Sequence, residues 1–337
     1  MYTLPLNKAL FNSNETVFIQ SEHFTVCGFK YNSGIEALKI KNSKGHLVLL
    51  PYMGQMIWDA YFLGEDLCME NMFTEPKPSK EVISTYGCFA YHSGLIRNGC
   101  PSPEDDHPLH GEMPCATMSK SWLEITENSI TIKGEYEYVM GFGDHYLATP
   151  SVTLEKDASL FDIKMKVQNL ASVPMPLQYM CHMNTAYFPE AKMTQNIPDS
   201  VVELRETIPG HVKPTPQWLD FNEALKSQDT PIQTLSTPDM YDPEIVYFMD
   251  NLSQYTDKAR FEMKISNGKT LITEFDTSAL NYATRWILYN GDQKVGAYVL
   301  PATCRPEGYL AAERNGTLIQ LQPKDVREFV VKTGISA

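Results

Sequence analysis

Cationic charge is scarce in this chain of 337 residues. Its 28 lysines and arginines face 41 aspartates and glutamates, for a net charge of −13. A surface of that sign repels phosphate backbones and anionic lipid, so nucleic acid and membrane surfaces are not expected partners. It does not exclude an anionic small molecule held by one or two arginines. Long apolar runs are missing too: none reaches the roughly 18 residues of a membrane span. The opening "MYTLPLNKALFNSNETVF" has one lysine, then acidic and amide residues, and no apolar core of a secretion signal. The seven cysteines (Cys27, Cys68, Cys88, Cys100, Cys115, Cys181 and Cys304) are odd in number, scattered, and never spaced CxxC. That argues against a disulfide framework and a structural zinc site, and it reads as free thiols in a reducing, cytoplasmic setting. No GxSxG elbow occurs, which leaves nucleophilic hydrolysis unsupported.

Helical periodicity is also scarce; only "NEALKSQ" (222–228) suggests two turns. Alternation of apolar and polar residues is what the chain has in quantity. "WLEITENSITIKGEYEYV" (122–139) reads as two strands around "ENS". Residues 150–184 read as three more, with Phe161, Ile163, Met165 and Val167 on one face. "KARFEMKISNGKTLITEF" (258–275) places Asn267-Gly268 between alternating runs, the signature of a type I′ hairpin. "GTLIQLQPKDVREFVVKTG" (316–334) repeats strand, turn and strand, and residues 189–243 read as loops around a strand at "SVVELRE" (200–206). Many short antiparallel strands imply a β-sandwich or barrel. No composition change marks a boundary, so one domain over 1–337 is expected. Unprotected edge strands would admit a homodimer without requiring one.

Four stretches carry groups suited to chemistry. His107-x-x-His110-x-Glu112 in "HPLHGE" offers two imidazoles and a carboxylate, the ligand types of a cupin-like metal site. Residues three apart on a strand face opposite ways and Pro108 breaks a ladder, so a lone catalytic histidine or two structural ones stand open beside the metal reading. "QYMCHMNTAYF" (178–188) runs an apolar strand into His182, with Asn184 to bond a hydroxyl and Tyr187 to stack on a sugar face. Alternatively, His182 is a satisfied core residue. "GLIRNGCPSPEDDHPLHG" (94–111) adds Arg97 and Asn98, donors and acceptors for a hydroxyl-rich ligand or parts of an ordinary loop. "PYMGQMIWDAYFLGEDL" (51–67) lacks a phosphate cradle; its Gln55 and Trp58 are candidate binding groups, though a tryptophan in Trp58's setting is more often core than a stacking platform.

"PYMGQMIW" (51–58), "PLHG" (108–111), "HMNTAYF" (182–188) and the closing "LIQLQPKDVREF" (318–329) occur in an order that resembles the aldose 1-epimerase superfamily, the galactose mutarotase-like proteins. Within it they are most similar to the branch described as domain of unknown function 4432, over residues 30–335. The resemblance implies an all-β fold, a large twisted antiparallel β-sandwich of the galactose mutarotase-like supersandwich type, with a concave carbohydrate-binding face. It implies interconversion of the anomers of a free sugar by acid and base, with neither metal nor cofactor. On it His182 is the acid, His110 the binding partner oriented by His107 and Asp106, and Arg97 the match to the branch's arginine. The late base glutamate of the superfamily has no counterpart, because Leu300 stands there before Pro301. Glu307, Glu313 and Glu244 are the carboxylates left for that role, Glu307 first, with Glu244 otherwise a binding residue. The leading expectation is thus a mutarotase-like isomerase. A non-catalytic carbohydrate-binding module, favoured by Leu300, is the first alternative. A metal-dependent isomerase using His107, His110 and Glu112 is the second.

Overall fold

The computed structural model describes residues 1–210, 212–228 and 230–337. Two antiparallel sheets make up the fold. One has nine strands, running from Tyr2–Pro5 through Lys120–Ile125, Ser129–Val139, His145–Glu155, Leu160–Asn169, Val326–Ser336, Thr270–Asp276 and Lys258–Lys264 to Lys192–Gln195. The other has thirteen strands and carries the site on one half. In chain order that half consists of β1 (Ala90–Leu95), β2 (Met175–Met183), β3 (Val202–Leu204), β4 (Ile245–Met249), β5 (Tyr282–Tyr289) and β6 (Lys294–Ala302). In space the order is β3-β4-β5-β6-β2-β1, and the sheet continues through Ile57–Phe62 to the edge strand Thr16–Gln20.

The alternating pattern explains the strands. In Leu160–Asn169, Phe161, Ile163, Met165 and Val167 are buried and the residues between them are not. Each such side chain contributes about 1.5–3 kcal/mol by leaving water. A shift of one residue in register would expose all four, which fixes the pairing. The hairpin Lys120–Ile125/Ser129–Val139 turns at 126–128, as the sequence suggests. At Asn267-Gly268 only Gly268 has positive φ, and Ile265 and Lys269 still pair. The hairpin therefore closes with a three-residue loop rather than a type I′ turn. "GTLIQLQPKDVREFVVKTG" is not a hairpin. Ile319–Leu321 pairs with β2 in the large sheet, whereas Val326–Ser336 lies in the nine-stranded one. The helix α1 runs Pro216–Lys226, earlier than the apolar pattern indicates, because Thr215 caps the Trp218 N–H and Pro216 occupies the first turn. A second helix, α2 (Tyr309–Arg314), has no clear sequence signal.

One bulge shapes the site half. Thr284 pairs with Leu300, but Trp286 pairs with Ala297, so Arg285 faces two residues of β6. The slip turns Leu300 to the same face as Trp286. Arg285 is fully buried on the opposite side, where it donates to the Ile232 and Tyr298 carbonyls and to Gln195.

The loop after β1 is held by a carboxylate. Glu112 Oε1 accepts from the Leu95 N–H (2.7 Å), the Ile96 N–H (2.8 Å) and the Tyr146 hydroxyl (2.8 Å). The adjoining Gly111 has φ +78, and a Cβ there would sit 1.9 Å from the Arg97 carbonyl oxygen, so no other residue fits. Replacing Glu112 with alanine strands three buried donors, each at about 1–3 kcal/mol. Urea unfolding of Glu112→Ala should therefore show a loss of about 3 kcal/mol or more, and Glu112→Gln, which keeps one oxygen, a smaller one. Equal stability of both to the parent would remove this anchor from the account of the fold.

Candidate functional site

The open face of β2 to β6 carries a cavity of about 270 Å³. Its floor includes Met180 and His182 from β2, Leu300 from β6, Thr284, Trp286 and Leu288 from β5, and Val246 from β4, with Glu244 just ahead of β4. Loops supply the walls: Tyr86, Leu109, His110, Arg205, Pro306, and the hairpin residues Asn290 and Gln293. This volume lies just below the roughly 300–1,000 Å³ of drug-sized pockets, which suits one small ring rather than a chain of them.

His182 sits near the end of β2, inside a cluster of rings. Tyr91 on β1 pairs with it and stacks flat at 4.5 Å; His110 approaches edge-on at 4.6 Å and Trp286 at 5.8 Å. The Tyr86 hydroxyl lies 3.3 Å from His182 Nε2 and accepts from Tyr91. Burial pushes the imidazole pKa down from 6.5 to about 3, with the neighbouring Asn184 opposing slightly, so the ring is neutral at ordinary pH. His110 takes a left-handed backbone, φ +63, which turns its ring inward, and Ser93 Oγ lies 3.1 Å from its Nδ1. Ser93 also donates to Asn98.

Two carboxylates line the cavity, the exposed Asp242 and the more enclosed Glu244. Oε2 of Glu244 accepts from Trp286 Nε1 at 2.8 Å, Arg205 Nη1 stands 3.6 Å from Oε1, and α1 pins the backbone through Trp218 Nε1 on the Glu244 carbonyl at 2.8 Å. Burial raises the carboxyl pKa; Arg205 and the Trp286 bond pull it part of the way back. One indole therefore links the carboxylate, at its N–H, to the imidazole, at its ring.

The other expected residues lie elsewhere. His107 does not support His110: its Nδ1 lies 2.9 Å from the Pro108 carbonyl, and its Nε2 accepts from the Tyr309 N–H and faces Asp105. Asp106 is exposed and pairs with Arg97, which stacks on Tyr309 at 3.9 Å, outside the cavity. Asn98 and Asn184 are buried beneath the walls, Asn184 donating to the Cys88 carbonyl. Tyr187 donates to the Leu235 carbonyl and packs on Tyr289. Trp58 and Gln55 are buried away from the cavity, Trp58 among the core residues. Glu307 accepts from Thr207 in the outer groove beyond Arg205, and Glu313 is exposed on α2. Glu112 is taken up by its three donors, so His107, His110 and Glu112 do not converge. Among the described residues no group of three or more His, Cys, Asp or Glu could hold a metal ion. No helix among them is long and apolar enough to cross a membrane. The sequence reading missed Trp286, Arg205 and Tyr86; only the polar-aromatic run "STYGCFAYHSG" hinted at Tyr86 and Tyr91.

Comparison with known proteins agrees with this fold. A family model described as domain of unknown function 4432 matches residues 32–335. A Klebsiella pneumoniae protein designated a candidate aldose 1-epimerase is similar in structure, with a TM-score of 0.77 at 14% identity over 99% of this chain and 90% of its own. A galactose mutarotase-like protein from Clostridium acetobutylicum gives 0.60 at 12% identity, covering 94% and 99%. Galactose 1-epimerase from Lactobacillus acidophilus gives 0.56 at 11%, covering 96% and 98%. No curated protein matches the chain in sequence.

The buried imidazoles make stability depend on pH. His92, bonded to the Tyr179 hydroxyl at 2.9 Å, is like His182 pushed from 6.5 to about 3 by burial. Below about pH 6.5 the unfolded chain takes up protons that the folded one refuses until about pH 3. Stability should fall through that window, by up to about 1.4 kcal/mol per pH unit for each histidine. Urea midpoints between pH 7 and 4 should show a shallower fall in His92→Gln than in the parent; parallel curves would mean that His92 is not held neutral.

Proposed function

The chain belongs to the family described as domain of unknown function 4432, and on that premise we propose that it is an isomerase of the aldose 1-epimerase type, interconverting the anomers of a free sugar. The observation that carries the reading is the pairing of Glu244 and His182 across Trp286 in a cavity of monosaccharide size.

In the proposed reaction Glu244 takes the proton of the anomeric hydroxyl while C1=O1 forms and the C1–O5 bond breaks. His182 supplies a proton to O5. After rotation about C1–C2 the ring closes on the other face, the O5 proton returns to His182, and Glu244 gives its proton back to O1. Nothing is consumed, and no metal or cofactor takes part. A raised carboxyl pKa makes Glu244 a stronger base than an exposed glutamate. His182 acts as a neutral imidazole N–H, a form that serves as electrophile in other isomerases. Leu300, which lies where the resemblance places a base, leaves this role to Glu244 two strands away. It also favours the second reading, a sugar-binding module with no turnover.

Anomer exchange followed by NMR on a panel of reducing sugars separates the two. The isomerase reading expects acceleration by the parent protein and a loss of about 10²–10⁴-fold in Glu244→Gln. His182→Gln should lose at least tenfold. The parent's rate should decline as pH falls through the raised Glu244 pKa, because only the carboxylate accepts the proton. Binding without acceleration would leave the module; full activity in Glu244→Gln would refute the assignment of the base.

A further inference from the structure

We propose that Thr284 is a specificity-determining residue of the cavity, its hydroxyl forming a hydrogen bond with a hydroxyl of the bound sugar; this rests on the reading of the cavity as a sugar site, with or without turnover. The bulge opposite Arg285 puts Thr284 on the same face as Trp286, and both line the cavity. Thr284 belongs to one row across the sheet. It pairs with Leu300 on β6 and with Phe248 on β4. Leu300 in turn stands across from His182, because Met180 pairs antiparallel with Ala302. Elsewhere in the fold, threonines that meet across strands satisfy each other: Thr131 bonds Thr153 at 2.9 Å and Thr273 bonds Thr333 at 3.0 Å. Leucine and phenylalanine side chains offer neither donor nor acceptor. The Thr284 side chain makes no hydrogen bond among the described residues.

Its oxygen is nevertheless within reach of a ligand. Thr284 as a whole is only 3% exposed, but its hydroxyl is not one of the unpartnered atoms sealed inside the protein, as the Gln55 and Asn98 amides are. The surface it keeps opens on the cavity that Thr284 lines. The other polar groups of the floor are engaged: His182 with Tyr86, Trp286 with Glu244, and Glu244 with Arg205 besides. A buried hydroxyl without a partner opposes folding, and valine would fill the same branched space without that penalty. The fold therefore gains nothing from this oxygen. A sugar hydroxyl seated above the row of Leu300 and Thr284 supplies the bond it lacks.

The test compares the full chain with its Thr284→Val and Thr284→Ser variants by urea unfolding, by calorimetric Kd and by anomer exchange in NMR. The probes are D-glucose, D-galactose, D-mannose, D-xylose, L-arabinose, L-rhamnose and L-fucose. For a sugar that binds the parent, Thr284→Val should keep or raise the urea midpoint and yet weaken binding about tenfold. Thr284→Ser, which restores the hydroxyl, should recover the affinity to within about threefold of the parent. Monodeoxy forms of that sugar then locate the contact. At one position, removing the sugar hydroxyl should cost the parent about tenfold and Thr284→Val less than about twofold, the coupling that a direct bond requires. Binding of none of these sugars, unchanged affinity in Thr284→Val, or equal losses in parent and variant at every deoxy position would overturn the proposal. The two readings fail separately. Binding that depends on Thr284 without accelerated exchange removes the isomerase alone; accelerated exchange with binding indifferent to Thr284→Val removes the role of Thr284 alone.

Discussion

A carboxylate and an imidazole on the floor of a largely apolar cavity must be kept from water and still be partnered, and much of the site half of the sheet is arranged around that constraint. An isolated buried carboxylate would be strongly disfavoured. Glu244 avoids this through Trp286, which gives it a direct N–H, and Arg205, which stands near enough to oppose the desolvation. Each of these is fixed in turn. Arg205 Nε donates to Thr207, and Trp286 follows the bulge that Arg285 anchors from the other face. The imidazole is treated differently: it is stacked on Tyr91 and left neutral, so it needs no counter-ion.

This division explains why only part of the site was legible in the sequence. His110 and His182 were found because each ends a recognisable local pattern. His107, three residues from His110, looked equivalent but faces α2, because the left-handed turn at His110 sends the two rings apart. Asn184 and Tyr187 follow His182 beyond the strand end, where alternation no longer decides direction, and their side chains donate to backbone carbonyls. Trp58 took the core role that its apolar surroundings favoured. Arg205 and Trp286 lie about 80 residues apart, and nothing local announces that both meet Glu244.

The fold was more legible than the site because alternation is a local property imposed by burial. It located the strands, including Leu160–Asn169 and the hairpin after Lys120–Ile125. It could not say which sheet a strand would join. β2 follows Leu160–Asn169 after a short loop yet belongs to the other sheet, and Ile319–Leu321 and Val326–Ser336 part in the same way. Such crossings are set by which apolar faces can meet in one core, and that is decided over the whole chain.

The three carboxylates considered for the base illustrate how position and burial together define a candidate. Glu307 and Glu313 are nearer in sequence to Leu300, but the backbone bridge Gly99↔Glu307 and α2 carry them out of the cavity, half-buried Glu307 into the outer groove and Glu313 into solvent. Glu244 is farther along the chain but lies two strands away in space, on the floor, with its pKa raised. The bulge in β6 also decides which way Leu300 faces. By turning this residue toward the cavity beside His182, it sets an apolar surface where the superfamily resemblance would place a charge, and moves the charged group to the other side of Trp286. In the proposed reaction the sugar would lie across that indole, with its ring oxygen toward β2 and its anomeric hydroxyl toward β4.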